Sequence, residues 1–167
     1  MELPNTHILC KVKSLHIGDA NTDVTVYYQT GAKKLKDYTL TELLVMHMEE
    51  PCFDFLRTKN TLGYHVYPAT RNTSGILGFS VTVTTQATKY NSEYVDKKIE
   101  EFFVHFEEKL QNLSEEEFLT QVSALIKLKR TDDSHLGEEV DRNWNEVITQ
   151  QYVFDRLARE VINGKDY

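Results

Sequence analysis

Residues alternate in polarity from Asp23 to Gln29, with Val24, Val26 and Tyr28 set against Thr25 and Tyr27. That period of two predicts a half-buried strand, entered through the turn-forming run HIGDANT. Beyond Gly31 and a basic connection, Thr39-Leu40-Thr41-Glu42 reads as a capping box, and Leu40, Leu43, Leu44 and His47 fall at helical spacing behind it. Pro51 removes a backbone donor, so it must either kink that helix or open a second helical piece. Thr61 to Tyr67 and Gly75 to Thr85 predict two antiparallel strands joined by the turn-rich PATRNTS. In the second strand Phe79, Val81 and Val83 alternate with Ser80, Thr82 and Thr84, giving one apolar and one polar face.

The remainder is helical in period. Val95, Ile99, Phe102, Phe103, Phe106 and Leu110 form one apolar face that starts after an Asn91-Ser92 cap. Ser114-Glu115-Glu116-Glu117 is a second capping box, opening a helix with Phe118, Val122, Leu125 and Ile126 on one side. Past a polar break at Thr131 to Ser134, Val140, Trp144, Val147, Ile148, Phe154, Leu157 and Val161 support one long helix or two consecutive ones. The order strand, helix, strand, strand, then helices predicts an α+β fold: a largely antiparallel sheet covered on one face by helices. Residues 1–167 read as a single domain, and INGKDY stops without a clear cap or closing strand, as in a fragment of something larger.

Composition narrows the function. The 167 residues carry a net charge of −7, which argues against a nucleic-acid role, since phosphate binding needs clustered positive charge. Acidity favours solubility and suits basic peptides. Cys10 and Cys52 stand far apart in no metal-binding spacing; Cys52, among apolar residues, is expected to be a buried free thiol in a reducing compartment. MELPNTHILC is not patterned as a signal peptide, and no apolar run approaches the roughly 20 residues of a membrane span. A cytoplasmic location is the expectation.

Six histidines invite a search for metal. His47-Met48-Glu49-Glu50-Pro51 comes within one residue of H-x-x-E-H, in which two imidazoles on one helix face flank a general base. Proline stands where the second ligand is needed. No other pair of histidines has chelating spacing, and no nucleophile elbow or phosphate-cradling glycine pattern occurs. These residues assign neither a catalytic group nor a metal ligand to the chain. Arg57 and Tyr64, seven apart with Gly63 before the tyrosine, are the candidate binding pair: a guanidinium fork and a phenol that donate to carbonyls of an extended peptide. In the bland alternative Arg57 satisfies helix-terminal carbonyls and Tyr64 is half-buried.

The segment EPCFDFLRTKNTLGY resembles the E-P-C-F-x-x-L-R-T-x-x-x-L-G-Y of pitrilysin-family zinc peptidases, the insulysin and nardilysin group. VTVYYQTG before it and DRNWNEVITQQYVFDR near the end agree, and LLVMHMEEPCFDFLRTK, NTSGILGFSVTV and HLGEEVDRNWNEV look closest to the nardilysin branch. The resemblance implies most of the fourth of four related α+β domains in a zinc metalloendopeptidase. This domain is non-catalytic and forms part of the wall of a peptide-binding chamber. Zinc is then held by another domain, and the partners are the remaining domains and basic peptides, cleaved N-terminal to arginine in dibasic sites. Residues matching Arg57 and Tyr64 contact the substrate backbone near the scissile bond. The alternative is a non-catalytic protein-interaction module of the same fold.

Overall fold

The computed structural model describes residues 6–16, 18–32, 34–73, 75–86 and 88–163. The final four residues, on which the expectation of an uncapped end falls, lie outside them, as does Ser74 of the PATRNTS segment. Three strands and five helices follow one another as β1 (Asn21–Ala32), α1 (Leu35–Cys52), β2 (His65–Thr73), β3 (Ile76–Gln86), α2 (Ser92–Gln111), α3 (Glu115–Lys129), α4 (Leu136–Ile148) and α5 (Arg156–Asn163). A π-helical extension, Phe53–Lys59, continues α1.

The sheet has the order β1-β3-β2, antiparallel throughout, with β3 in the centre. Val24 and Val66 both pair with Val83, and Val26 and Pro68 both with Val81, so the apolar residues of all three strands share one face. Against that face α1, its π-helical extension and α2 bring Met48, Cys52, Leu56, Val95, Ile99, Phe102 and Phe106, all buried in one core. Each large apolar side chain so removed from water contributes about 1.5–3 kcal/mol. A smaller cluster of Leu43, Val122 and Leu125 fixes α3 to α1. This is the α+β arrangement that the pattern of polarity predicts.

Three local expectations are corrected. The Thr39–Glu42 capping box does not form, because α1 begins a turn earlier, at Leu35. Thr39 and Thr41 instead donate back to the Leu35 and Asp37 carbonyls (3.2 and 2.8 Å), as hydroxyls inside a helix do. Second, β2 starts only at His65, and Pro68 to Thr73 belong to the strand rather than to a connection. The proline is tolerated because β2 is an edge strand, whose outer side has no ladder to feed. The hairpin closes at Gly75, whose φ of 80° suits a residue without a Cβ. Third, the polar face of β3 is not solvated: Ser80 and Thr82 are buried, Ser80 accepting from Arg71 Nε (2.9 Å) and Thr82 bonding Thr25 (2.9 Å). The cross-strand neighbours of a central strand cover its small polar residues.

The other caps form as the sequence predicts. Asn91 accepts from the Tyr94 amide, and Ser114 and Glu117 make a reciprocal capping box that holds the Glu117 carboxyl below its usual range. The C-terminal periodicity resolves into two helices, α4 and α5.

Candidate functional site

Pro51 neither breaks α1 nor opens a new helix. The chain stays helical through it and then widens into the π-helical turn Phe53–Lys59. Short π segments interrupt helices at functional sites more often than elsewhere, because the wide turn re-aims side chains. Here it is pinned from inside. Leu56 is fully buried, and the Phe55 ring stacks on His105 at 5.4 Å and tilts against Phe102 at 6.0 Å. Asn60 closes the turn twice on the Phe55 carbonyl, through its amide (3.1 Å) and its side-chain nitrogen (2.7 Å). The Leu62 amide then reaches the Leu56 carbonyl (3.1 Å).

The connection that follows is equally fixed. Leu62 is buried, and Gly63 runs so close to β3 that a Cβ there would meet the Thr84 carbonyl oxygen at 1.9 Å. Thr61 is held in the left-handed region at φ 49°, an uncommon conformation for a β-branched residue. Buried Cys52, Leu56, Leu62 and Val66 thus anchor a segment that turns the alternate residues outward. Arg57 and Tyr64 are among these, and Tyr64 is 78% exposed. The half-buried alternative for the tyrosine is therefore incorrect: Gly63 lies against the sheet and the phenol points away from it.

Nor does Arg57 cap the helix. Its guanidinium lies over the Phe53 ring, 4.6 Å from the centroid, and among the described residues no carboxylate pairs with it. Asp54, the nearest acid in sequence, is taken by Lys59 at 2.8 Å. Stacking on an aromatic face leaves the edge of the fork and its N–H donors accessible. Two exposed hydrogen-bond donors, the Arg57 guanidinium and the Tyr64 phenol, thus stand on one segment anchored by buried residues. Phe53 was not singled out by sequence reasoning, although its position four residues before Arg57 on a helical segment was a usable signal.

His47 lies on α1, half-buried, with its ring 6.0 Å from that of Phe106. It lines an open groove between α1, α2 and α3, together with Glu50, His105, Glu108, Glu116 and Glu117. Arg57 and Tyr64 are not among the residues of that groove. No group of three or more histidine, cysteine or acidic side chains among the described residues is placed to hold a metal ion. The described residues do not fit a zinc site.

A second polar cluster, which the sequence did not suggest, joins the helices. Lys129 meets Glu42 and Glu160, each at 2.6 Å, while Arg156 pairs with Glu146. Glu160 and Glu146 are buried, so the cluster ties α1, α3, α4 and α5 together at low dielectric.

Comparison with known proteins places this geometry. Residues 43–144 match the family described as PQQ synthase PqqF-like, C-terminal lobe domain 4. The chain is 76% identical to nardilysin of Homo sapiens over 161 residues, covering 96% of this chain and 14% of that protein. It is 32% identical to insulin-degrading enzyme of Homo sapiens over 141 residues, covering 84% of this chain and 14% of that protein. Among solved structures, a crystal structure of pitrilysin superposes with a TM-score of 0.76 at 20% identity, covering 90% of this chain and 16% of the other, a likeness of fold. The chain thus spans 14% of the length of these two relatives.

Proposed function

Because the chain belongs to the pitrilysin and insulysin family of zinc metallopeptidases, through the PqqF-like C-terminal lobe domain 4, we propose that it forms part of the substrate-chamber wall of a nardilysin-type endopeptidase. In this reading Arg57 and Tyr64 bind the backbone of an extended peptide. The observation that carries it is the outward presentation of both donors on a segment anchored by buried residues, with Arg57 stacked on Phe53 rather than neutralised by an acid.

The chemistry follows from those groups. An extended peptide offers carbonyl oxygens at regular spacing, and the guanidinium and the phenol donate hydrogen bonds to them. When the scissile carbonyl is attacked, negative charge gathers on its oxygen, and a donor already in place gains strength without reorganising. This chain's part is to orient the substrate and to stabilise that charge. The metal of the parent enzyme is held by another domain.

The net charge of −7 suits basic peptides, and cleavage N-terminal to arginine in dibasic sites is part of the proposal. So is a reducing, cytoplasmic setting, with which two free cysteines agree. The test is made in the full-length parent with a dibasic peptide. Tyr64→Phe and Arg57→Ala are expected to lower kcat/KM by about 10²-fold, the scale of losing a transition-state donor. Unchanged values in both variants would leave the protein-interaction module as the better reading.

A further inference from the structure

Thr61 stands between the two anchors of the donor segment, just before the buried Leu62 and a short step before Tyr64. The chain leaves the π-helical turn at this residue. The Thr61 amide donates to the Arg57 carbonyl (3.1 Å), a bond nested inside the longer one from the Leu62 amide to the Leu56 carbonyl (3.1 Å). Nested bonds of this kind end helices through one left-handed residue, and that residue is most often glycine. Here it is a threonine at φ 49°, where a branched Cβ crowds the backbone. Burial does not compensate the strain, because Thr61 is exposed. Its hydroxyl lies 3.4 Å from that of Tyr90, which packs against the main core and stacks on Tyr94 at 5.3 Å.

We propose that Thr61 is a positioning residue for substrate: it takes up a strained backbone conformation and thereby sets where Tyr64 stands relative to Arg57. The inference rests on the reading of Arg57 and Tyr64 as donors to the substrate backbone. Strain of this kind persists only where the surrounding structure imposes it, and it collects at ligand clamps. The nested bonds link residue 61 to the Arg57 carbonyl on one side and to the entry into β2 on the other. A glycine would satisfy the same bonds without strain, but it would also sample further basins at either sign of φ. Threonine has few, because sterics exclude most of the positive-φ region for a branched residue. On leaving the left-handed region it must give up both nested bonds. One arrangement of the connection is therefore compatible with its hydrogen bonds, and the phenol beyond it inherits that direction. Local stability is exchanged for the placement of a donor.

The experiment compares Thr61→Gly, Thr61→Ser and Tyr64→Phe in the full-length parent with a dibasic peptide, and follows the urea midpoint of each in this chain. Thr61→Gly is expected to raise the midpoint, since glycine removes the crowding at positive φ. It is nonetheless expected to lower kcat about tenfold with little change in KM, the scale of a misplaced catalytic contact. Thr61→Ser keeps a Cβ and the hydroxyl and is expected to retain the kcat of the unmodified enzyme. In a Tyr64→Phe background Thr61→Gly should leave kcat where it was, because the group it misplaces is gone. Full kcat in Thr61→Gly beside an impaired Tyr64→Phe overturns this proposal and leaves the donor reading standing. Full activity in Tyr64→Phe removes the donor reading itself, and this inference with it. A lowered midpoint in Thr61→Gly, or a loss of kcat that persists undiminished without the phenol, marks an ordinary structural role and overturns the proposal as well.

Discussion

Phe53 and Arg57 form an aromatic–cation stack, with the guanidinium 4.6 Å from the ring centroid, on two outward positions of a π-helical turn. Within that turn the buried Leu56 and the partly buried Phe55 fix where the stack stands. The ring holds the guanidinium without consuming its donors, so under the proposed function it acts on substrate only through Arg57. An exposed stack of this kind contributes about 0.5–1 kcal/mol. Phe53→Leu in the parent enzyme is therefore expected to lower kcat/KM several-fold, well short of the Arg57→Ala loss. In an Arg57→Ala background Phe53→Leu should have little further effect. Independent, additive losses in the double variant would show that the ring acts by some other contact.

Gly63 sets the position of Tyr64 by its closeness to β3. A Cβ there meets the Thr84 carbonyl oxygen at 1.9 Å, a backbone atom in a paired central strand that cannot swing aside. Gly63→Ala is expected to destabilise this chain by about 1–3 kcal/mol, the range of overpacking, measured by urea unfolding. In the parent it should also reduce kcat/KM by displacing the phenol. Full stability in Gly63→Ala would mean that the connection is free to move, and the case for a preorganised Tyr64 would weaken with it.

How much of this was legible in the sequence depends on the range of the interaction. The caps at Asn91 and Ser114 and the face of Val95, Ile99, Phe102 and Phe106 are local and periodic, and the residues alone reveal them. The Thr39–Glu42 box satisfies the same local pattern, yet Glu42 is drawn to Lys129, a residue 87 positions away, and the helix starts at Leu35. Tertiary pairing outweighed a cap in which the hydroxyls had other acceptors. Pro68 reads as a strand breaker until the sheet order shows β2 on an edge. Arg57 and Tyr64 were visible as residue types, but nothing local announces that Pro51 leads into a π turn, which turns Arg57 outward over Phe53.

The two thiols differ in reactivity. Cys10 is exposed, while Cys52 is wholly buried in the main core and burial pushes its thiol up to about 12. The thiolate is the reactive form, so Cys52 is shielded both sterically and by its protonation. An aromatic disulfide reagent at neutral pH is expected to modify one of the two cysteines of the native chain quickly, and the second only on unfolding. Rapid modification of both would place Cys52 in a part of the core that opens readily.

Glu42 supplies a pH dependence of unusual sign. Burial raises its carboxyl above the ordinary 4.5, against the opposing pull of Lys129, and the nearby Glu160 adds to the rise. A carboxyl raised on folding binds its proton more tightly in the native state than in the unfolded one. From pH 4.5 up to its folded value the native state holds more protons, so this group's contribution makes stability fall as pH rises. Glu117 and Asp155 work in the opposite sense. Their carboxyls are lowered, Glu117 by hydrogen bonds from Ser114 and Asp155 by Arg159, so the stability they add is present above 4.5 and 3.8 and lost below. The two effects occupy different windows and separate cleanly. Urea midpoints measured from pH 4.5 to 7 are expected to decline with pH in the unmodified chain more than in Glu42→Gln, which cannot titrate. Parallel curves for the two proteins would mean that Lys129 and solvent stabilise the Glu42 carboxylate as well in the fold as water does in the unfolded chain.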